Sequence, residues 1–176
     1  MKILGAILAG GQSRRFGSDK SEALFEGKAL LDHVADALRP QCAKLVIAGR
    51  EWPGIPSVAD IPENGLGPLG GLAGAMDYAH RNGFDTVLSC GCDLLGIPSD
   101  LAKQLGAAPA ILDDIPIVGL WPADIAGTLP AWLAEPANRS VYRFADYIQA
   151  RRVPTPASIT NVNRASDLAT PAFHKP

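Results

Sequence analysis

The chain has 176 residues, 47% of them hydrophobic and 19% charged, with a formal net charge of -2. That length fits one domain over residues 1–176 with one core, and the composition belongs to a globular chain rather than a disordered one. The near-balanced charge gives no reason to expect a broad nucleic-acid or membrane surface, and leaves room for a local basic cluster facing a phosphate-bearing ligand. Three cysteines, Cys42, Cys90 and Cys92, are too few and too irregularly spaced for a disulfide framework. No apolar run approaches the roughly 20 residues a spanning helix needs. The expectation is a soluble cytoplasmic protein that contacts neither membrane nor nucleic acid.

Residues 2–8 form a short apolar run ending in glycines, read as a buried first strand. Residues 9–20 are a loop rich in Gly, Ser and Arg. Leu30, Leu31, Val34 and Leu38 recur at helical spacing, and Pro40 closes that helix. Residues 44–48 predict a second strand and 58–60 a short third one, followed by a Gly/Pro loop over 62–68. Leu69, Leu72, Ala73, Met76 and Ala79 mark a second amphipathic helix, with Gly70, Gly71 and Gly74 inside it. Residues 86–89 predict another buried strand, ending at Cys90-Gly91-Cys92-Asp93. A short helix is expected over 98–105, beginning at a proline. Two strands follow at 110–112 and 115–121, then a weak helical stretch over 123–133. Val141, Phe144, Ala145 and Ile148 predict a last helix. Strands alternating with helices imply an α/β fold with a mostly parallel sheet. Ligands of such sheets bind at the carboxyl ends of strands, near a reversal in strand order.

The strongest local signal is Leu8-Ala9-Gly10-Gly11-Gln12-Ser13-Arg14-Arg15-Phe16-Gly17-Ser18-Asp19-Lys20. Glycines let backbone N–H groups approach phosphate oxygens. Arg14 and Arg15 offer bidentate contacts, and Lys20 a point charge for a triphosphate or its leaving pyrophosphate. The segment is not a P-loop: Gly11 and Gly17 stand one residue too far apart, and no lysine follows Gly17. Gly65, Gly67 and Gly70 match G-x-G-x-x-G but do not follow the first strand. They read either as a tight turn into the next helix or as a second ligand loop. Asp93, just past a buried strand, suits Mg²⁺ held together with substrate phosphates, or else caps a loop. Asp60 has the same two readings. The three histidines have no metal spacing, and Cys90-x-Cys92 lacks a second pair. Trp52, Trp121 and Trp132 read as packing residues, Arg139 as a surface charge, and Arg151-Arg152 as solvated.

The first loop, with Gly67-Pro68-Leu69-Gly70-Gly71, Cys92-Asp93, Ile97-Pro98, Arg139-Ser140-Val141, Asn161-Val162-Asn163 and Asp167-Leu168, resembles the molybdenum cofactor guanylyltransferases. The resemblance implies a single-domain, Rossmann-like three-layer sandwich of the nucleotide-diphospho-sugar transferase (glycosyltransferase-A) type. It implies transfer of GMP from GTP to the phosphate of molybdopterin or Mo-molybdopterin, with Mg²⁺ as cofactor. Molybdoenzyme-maturation proteins are further partners it allows. Carried over by position, Leu8, Ala9, Gly10, Gly11, Lys20, Asp60 and Asp93 would bind the nucleotide. Asp93 would hold the metal; Lys20, Asp93 and Arg15 would be catalytic; Asn161 and Asn163 would face the acceptor. The chain departs from the family at Gly49, where asparagine is common, and at Gly91, where proline is usual. Rival readings are a cytidylyltransferase or sugar-phosphate nucleotidyltransferase of the same fold, and a non-catalytic nucleotide-binding protein.

Overall fold

The computed structural model describes residues 1–10 and 23–162. The first strand, β1 (Ile3–Leu8), is buried along its whole length, and its alternation serves two cores. Leu4, Ala6 and Leu8 face one and Ile3 and Ile7 the other. A strand sandwiched in this way needs apolar residues on both faces, which is why it reads as an unbroken hydrophobic run. A two-strand hairpin follows, β2 (Leu24–Phe25) and β3 (Lys28–Ala29), turning through positive φ at Glu26 and Gly27. It leads into α1 (Leu30–Leu38), whose buried stripe is Leu30, Leu31, Val34, Ala35 and Leu38.

The chain continues through β4 (Lys44–Ala48), β5 (Ser57–Val58), α2 (Pro68–Arg81) and β6 (Thr86–Gly91). Next come β7 (Leu94–Leu95), α3 (Leu101–Leu105), β8 (Ala110–Leu112) and β9 (Gly119–Pro122). The last elements are α4 (Thr128–Leu133), α5 (Val141–Tyr147), β10 (Arg151–Val153) and β11 (Thr160–Asn161).

Seven strands form one sheet in the order β10-β8-β9-β6-β1-β4-β5. Only β9 runs against its neighbours in it, pairing antiparallel with both β6 and β8. The strand order therefore reverses between β1 and β6. Helices α2, α4 and α5 cover one face through Leu69, Leu72, Met76, Leu129, Leu133 and Phe144. Helices α1 and α3 cover the other through Leu31, Val34, Leu38, Leu101 and Leu105. The three layers match the sequence expectation. No helix among the described residues is long and apolar enough to cross a membrane.

Several local expectations are corrected. The helix expected from Pro98 begins at Leu101, after a turn in which Leu101 N–H donates to Pro98 O. The strand expected over 115–121 is only Gly119–Pro122, because Ile115 O accepts from Val118 N–H and Pro116 sits in that turn. The stretch over 123–133 splits into a 3₁₀ turn, Ala123–Ile125, and α4. Strand β10 was read as a solvated arginine pair. It is an exposed edge strand carrying charge, and such strands show no apolar alternation.

Trp121 is fully buried and stacks on Phe144 at 6.0 Å. Its indole N–H donates to Ser89 Oγ at 2.8 Å, and Ser89 Oγ donates to Ile117 O at 2.5 Å. Ser89 thus satisfies the core tryptophan and ties the β8–β9 loop to β6. Ser89→Ala would leave two polar groups unpaired. It is expected to lower stability by about 1–3 kcal/mol, as read by urea denaturation.

Candidate active site

The carboxyl ends of β1, β4, β5 and β6 meet at the reversal of strand order, where parallel sheets open a crevice. Past β1, Ala9 N–H donates to Ala48 O at 2.9 Å, extending the β1–β4 ladder by one bond. Gly10 then lies directly against Gly49. A β-carbon on Gly49 would stand 2.2 Å from Gly10 Cα and 2.4 Å from Gly10 N, and Gly49 has φ of +89°. Only glycine fits there, which accounts for the departure from asparagine at this position.

Helix α2 approaches the same edge through its glycines. A β-carbon at Gly71 would meet Ala48 Cβ at 2.8 Å, and one at Gly74 would meet Ala59 O at 2.0 Å. Asp60 sits on the first turn of this helix, Oδ2 lying 3.2 Å from where a Gly70 β-carbon would be. Its carboxylate accepts the Gly65 N–H. The positive end of the α2 dipole therefore already faces a carboxylate from the chain itself. Gly65 and Gly67 both take positive φ. Gly67 is the N-cap of α2 and Pro68 opens its first turn, so this glycine pattern is a turn into α2.

Burial is the largest influence on Asp60 and raises its carboxyl above the ordinary value, against the lowering effect of the Gly65 bond. A folded pKa above the unfolded one favours folding below the unfolded value of about 3.9, and that contribution is lost as pH rises through the folded pKa. Asp60→Asn is expected to flatten the fall in stability across that acid window. Urea denaturation of both proteins over a pH series checks it.

Asp93 lies two residues past β6 and is half-buried. Its Oδ1 would be 2.9 Å from a β-carbon at Gly91, so glycine there leaves room for the carboxylate. Its carbonyl accepts Val162 N–H at 2.8 Å, and β11 pairs with β7 through Asn161 opposite Leu94. This pairing brings Asn161 beside Asp93. Gly96, at φ of +71°, allows the approach: a β-carbon would lie 1.9 Å from Ser158 O.

Among the described residues, no three His, Cys, Asp or Glu side chains cluster as a ready-made metal cage. A single hard carboxylate at a ligand crevice fits Mg²⁺, which takes one or two carboxylates and draws its other ligands from phosphates and water. Cys42 and Cys90 do not compete for this role. Burial pushes Cys42 up to about 12 and Cys90 higher still.

The structure thus brings Leu8, Ala9, Gly10, Asp60, Asp93 and Asn161 to one edge. Gly11, Arg14, Arg15, Lys20 and Asn163 lie outside the described residues. Arg139 is not merely a surface charge: its Nη1 donates to Leu133 O, Glu135 O and Asn138 O, closing the end of α4. The sequence reading missed a cluster on the far half of the edge. Arg152 pairs with Asp146 at 3.0 Å and Asp113 at 3.4 Å and lies over the Tyr142 ring at 5.0 Å. These four residues come from three separate elements, so no local spacing signals them.

A glycine-lined edge at the strand reversal, with the carboxylates of Asp60 and Asp93 beside it, is where proteins of the three-layer α/β class bind nucleotides. The model of the MobA-like NTP transferase domain matches residues 5–152. A molybdenum cofactor guanylyltransferase of Acidiphilium cryptum is 34% identical over 176 aligned residues, covering 92% of this chain and 90% of that protein. Among solved structures, molybdopterin-guanine dinucleotide biosynthesis protein A from Archaeoglobus fulgidus superposes with a TM-score of 0.70 at 20% identity, covering 94% of this chain and 95% of that one. A Mycobacterium tuberculosis protein solved in complex with manganese superposes at 0.59 with 13% identity, covering 88% and 89%. The chain belongs to the MobA-like NTP transferase family.

Proposed function

We infer that this protein is a nucleotidyltransferase that moves GMP from GTP to the phosphate of molybdopterin, with release of pyrophosphate. What carries the reading is Asp93: a half-buried carboxylate at the strand reversal, in a chain aligned over 92% of its length with a molybdenum cofactor guanylyltransferase. The acting unit is residues 1–176 as one domain, working in the cytoplasm with GTP and molybdopterin or Mo-molybdopterin as substrates. Hand-over to molybdoenzyme-maturation proteins belongs to the same reading.

An oxygen of the acceptor phosphate attacks the α-phosphorus of GTP in line. The new P–O bond forms as the bond from that phosphorus to the β-phosphate bridging oxygen breaks, and pyrophosphate leaves with the electron pair. The acceptor phosphate is largely ionised at pH 7, its second pKa being about 6, so no general base is needed. The enzyme's work is alignment and charge neutralisation.

Leu8, Ala9, Gly10 and Gly11 offer backbone groups to the nucleotide. Lys20 neutralises its phosphates, Arg15 steadies the departing pyrophosphate, and Asp60 faces the guanosine part. Asp93 holds the metal, proposed as Mg²⁺. When bound, Mg²⁺ supplies positive charge to the triphosphate. Asn161 and Asn163 order the acceptor side.

Calorimetric titration with GTP, CTP, UTP and ATP, each with Mg²⁺, tests the reading. Binding of GTP alone, with pyrophosphate release once molybdopterin is added, is the expected result. Preference for CTP would replace the guanylyl reading with a cytidylyl one.

A further inference from the structure

We propose that the carboxyl ends of β8 and β10 carry the subsite for the pterin end of the acceptor, with the stacked pair Tyr142 and Arg152 as its platform. This rests on the guanylyl-transfer reading above. On that reading, the nucleotide takes the β1, β4 and β5 side of the edge, where the glycines stand. The acceptor then reaches Asp93 from the other side, across β9, β8 and β10.

A continuous surface runs in that direction. Ile117 Cγ2 is 3.9 Å from the β-carbon position of Gly91, the residue that makes room for the Asp93 carboxylate. Ser89 fixes the Ile117 carbonyl, and Ile115, Pro116 and Ile117 are all half-buried. They make the β8–β9 loop apolar, and Ile117 brings it up to Gly91. At its far end Tyr142 Oη donates to Asp113 O at 2.5 Å. Arg152 is held over the Tyr142 ring by two carboxylates, yet its side chain remains 43% exposed.

Three strand spacings separate β10, which carries Arg152, from β6, about 14 Å. A fused three-ring pterin with its phosphate arm is of that order of length, so a phosphate at Asp93 places the ring system at Arg152. The chemistry also matches. A flat heteroaromatic ring stacks on a guanidinium plane. Its amino-pyrimidinone edge presents N–H donors, and Asp113 and Asp114 are exposed carboxylates at the end of β8 that accept them. Nothing in the stability of the fold requires this arrangement, since exposed ion pairs contribute little.

The test compares Arg152→Ala and Arg152→Lys with wild type in guanylyl transfer to molybdopterin at saturating GTP and Mg²⁺, alongside GTP calorimetry and Tm. The expected result for Arg152→Ala is a rise in the KM for molybdopterin of about 10-fold, the size of one stacking contact. Its kcat, GTP affinity and Tm should stay unchanged. Arg152→Lys keeps the charge but not the plane, and should behave like Arg152→Ala. Arg81→Ala, which breaks an exposed pair with Asp77 at the far end of α2, should leave every reading at wild type. An unchanged acceptor KM in Arg152→Ala, or full rescue by lysine, would overturn the stacking platform while guanylyl transfer stands. A matching loss of GTP affinity would put Arg152 on the nucleotide side and overturn it too. No transfer by the wild-type protein would remove the guanylyl reading, and the subsite with it.

Discussion

Asp93→Asn is expected to lower kcat by about 10²–10³-fold at saturating GTP and Mg²⁺, the range seen when one preorganised electrostatic group is lost from a transition state. Asparagine has the same shape, so it keeps the space that Gly91 leaves for the side chain. The bond that ties the C-terminal segment to this residue uses the backbone carbonyl, which accepts Val162 N–H and survives the change. The fold should therefore be kept, which the Tm of the variant checks. What is lost is one negative charge at the place where Mg²⁺ and the triphosphate would meet. Among the described residues no group of three or more His, Cys, Asp or Glu side chains stands there to replace it. Single-turnover and steady-state rates of pyrophosphate release, with and without molybdopterin, measure the effect. Turnover within a few-fold of wild type would remove Asp93 from the catalytic assignment.

The parts of this fold that the sequence made legible are those with two-sided burial. Strand β1 is a continuous apolar run and β4 and β6 are largely apolar because helices cover both faces, and α1 and α2 carry clear stripes. The place of Asp93, two residues past β6, was legible for the same reason; its metal-holding role is a proposal. The pieces that went unread have no such pattern. Strands β7 and β11 are two residues each and are fixed by long-range pairing. Strand β10 sits at the sheet edge with two arginines, whose partners Asp113 and Asp146 lie on other elements. Arg139 looked like a free surface charge because the carbonyls it closes become available only once α4 ends. Asp60 was expected at the end of a strand over 58–60, but β5 ends at Val58, and the seat of Asp60 on the first turn of α2 depends on the glycine packing of that helix. Close backbone approach leaves only a glycine in the sequence, and a glycine has several possible meanings.

Gly49→Ala is expected to be a strongly damaging single-methyl change at the proposed nucleotide edge. The added carbon would stand 2.2 Å from Gly10 Cα, 2.4 Å from Gly10 N and 3.1 Å from Ala9 C. All three neighbours are backbone atoms, so no side-chain rotamer relieves the contact. The residue must also hold φ of +89°, a region that costs an L-residue about 1–2 kcal/mol by itself. Relief requires β1 and β4 to separate at their carboxyl ends, breaking the bond from Ala9 N–H to Ala48 O. Stability should fall by about 2–4 kcal/mol in all. GTP affinity should fall with it, because Gly10, proposed to contact the nucleotide, moves. Asparagine tolerates positive φ better but brings the same β-carbon, so Gly49→Asn should recover only the smaller, conformational part. Gly10→Ala is the contrasting variant: its β-carbon would lie 3.4 Å from Gly49 Cα, an ordinary contact. It should keep wild-type Tm. Urea denaturation of the three variants, followed by GTP calorimetry below each one's transition, separates the two effects. Wild-type stability in Gly49→Ala would mean that the Gly10–Gly49 contact does not set the geometry of the nucleotide edge.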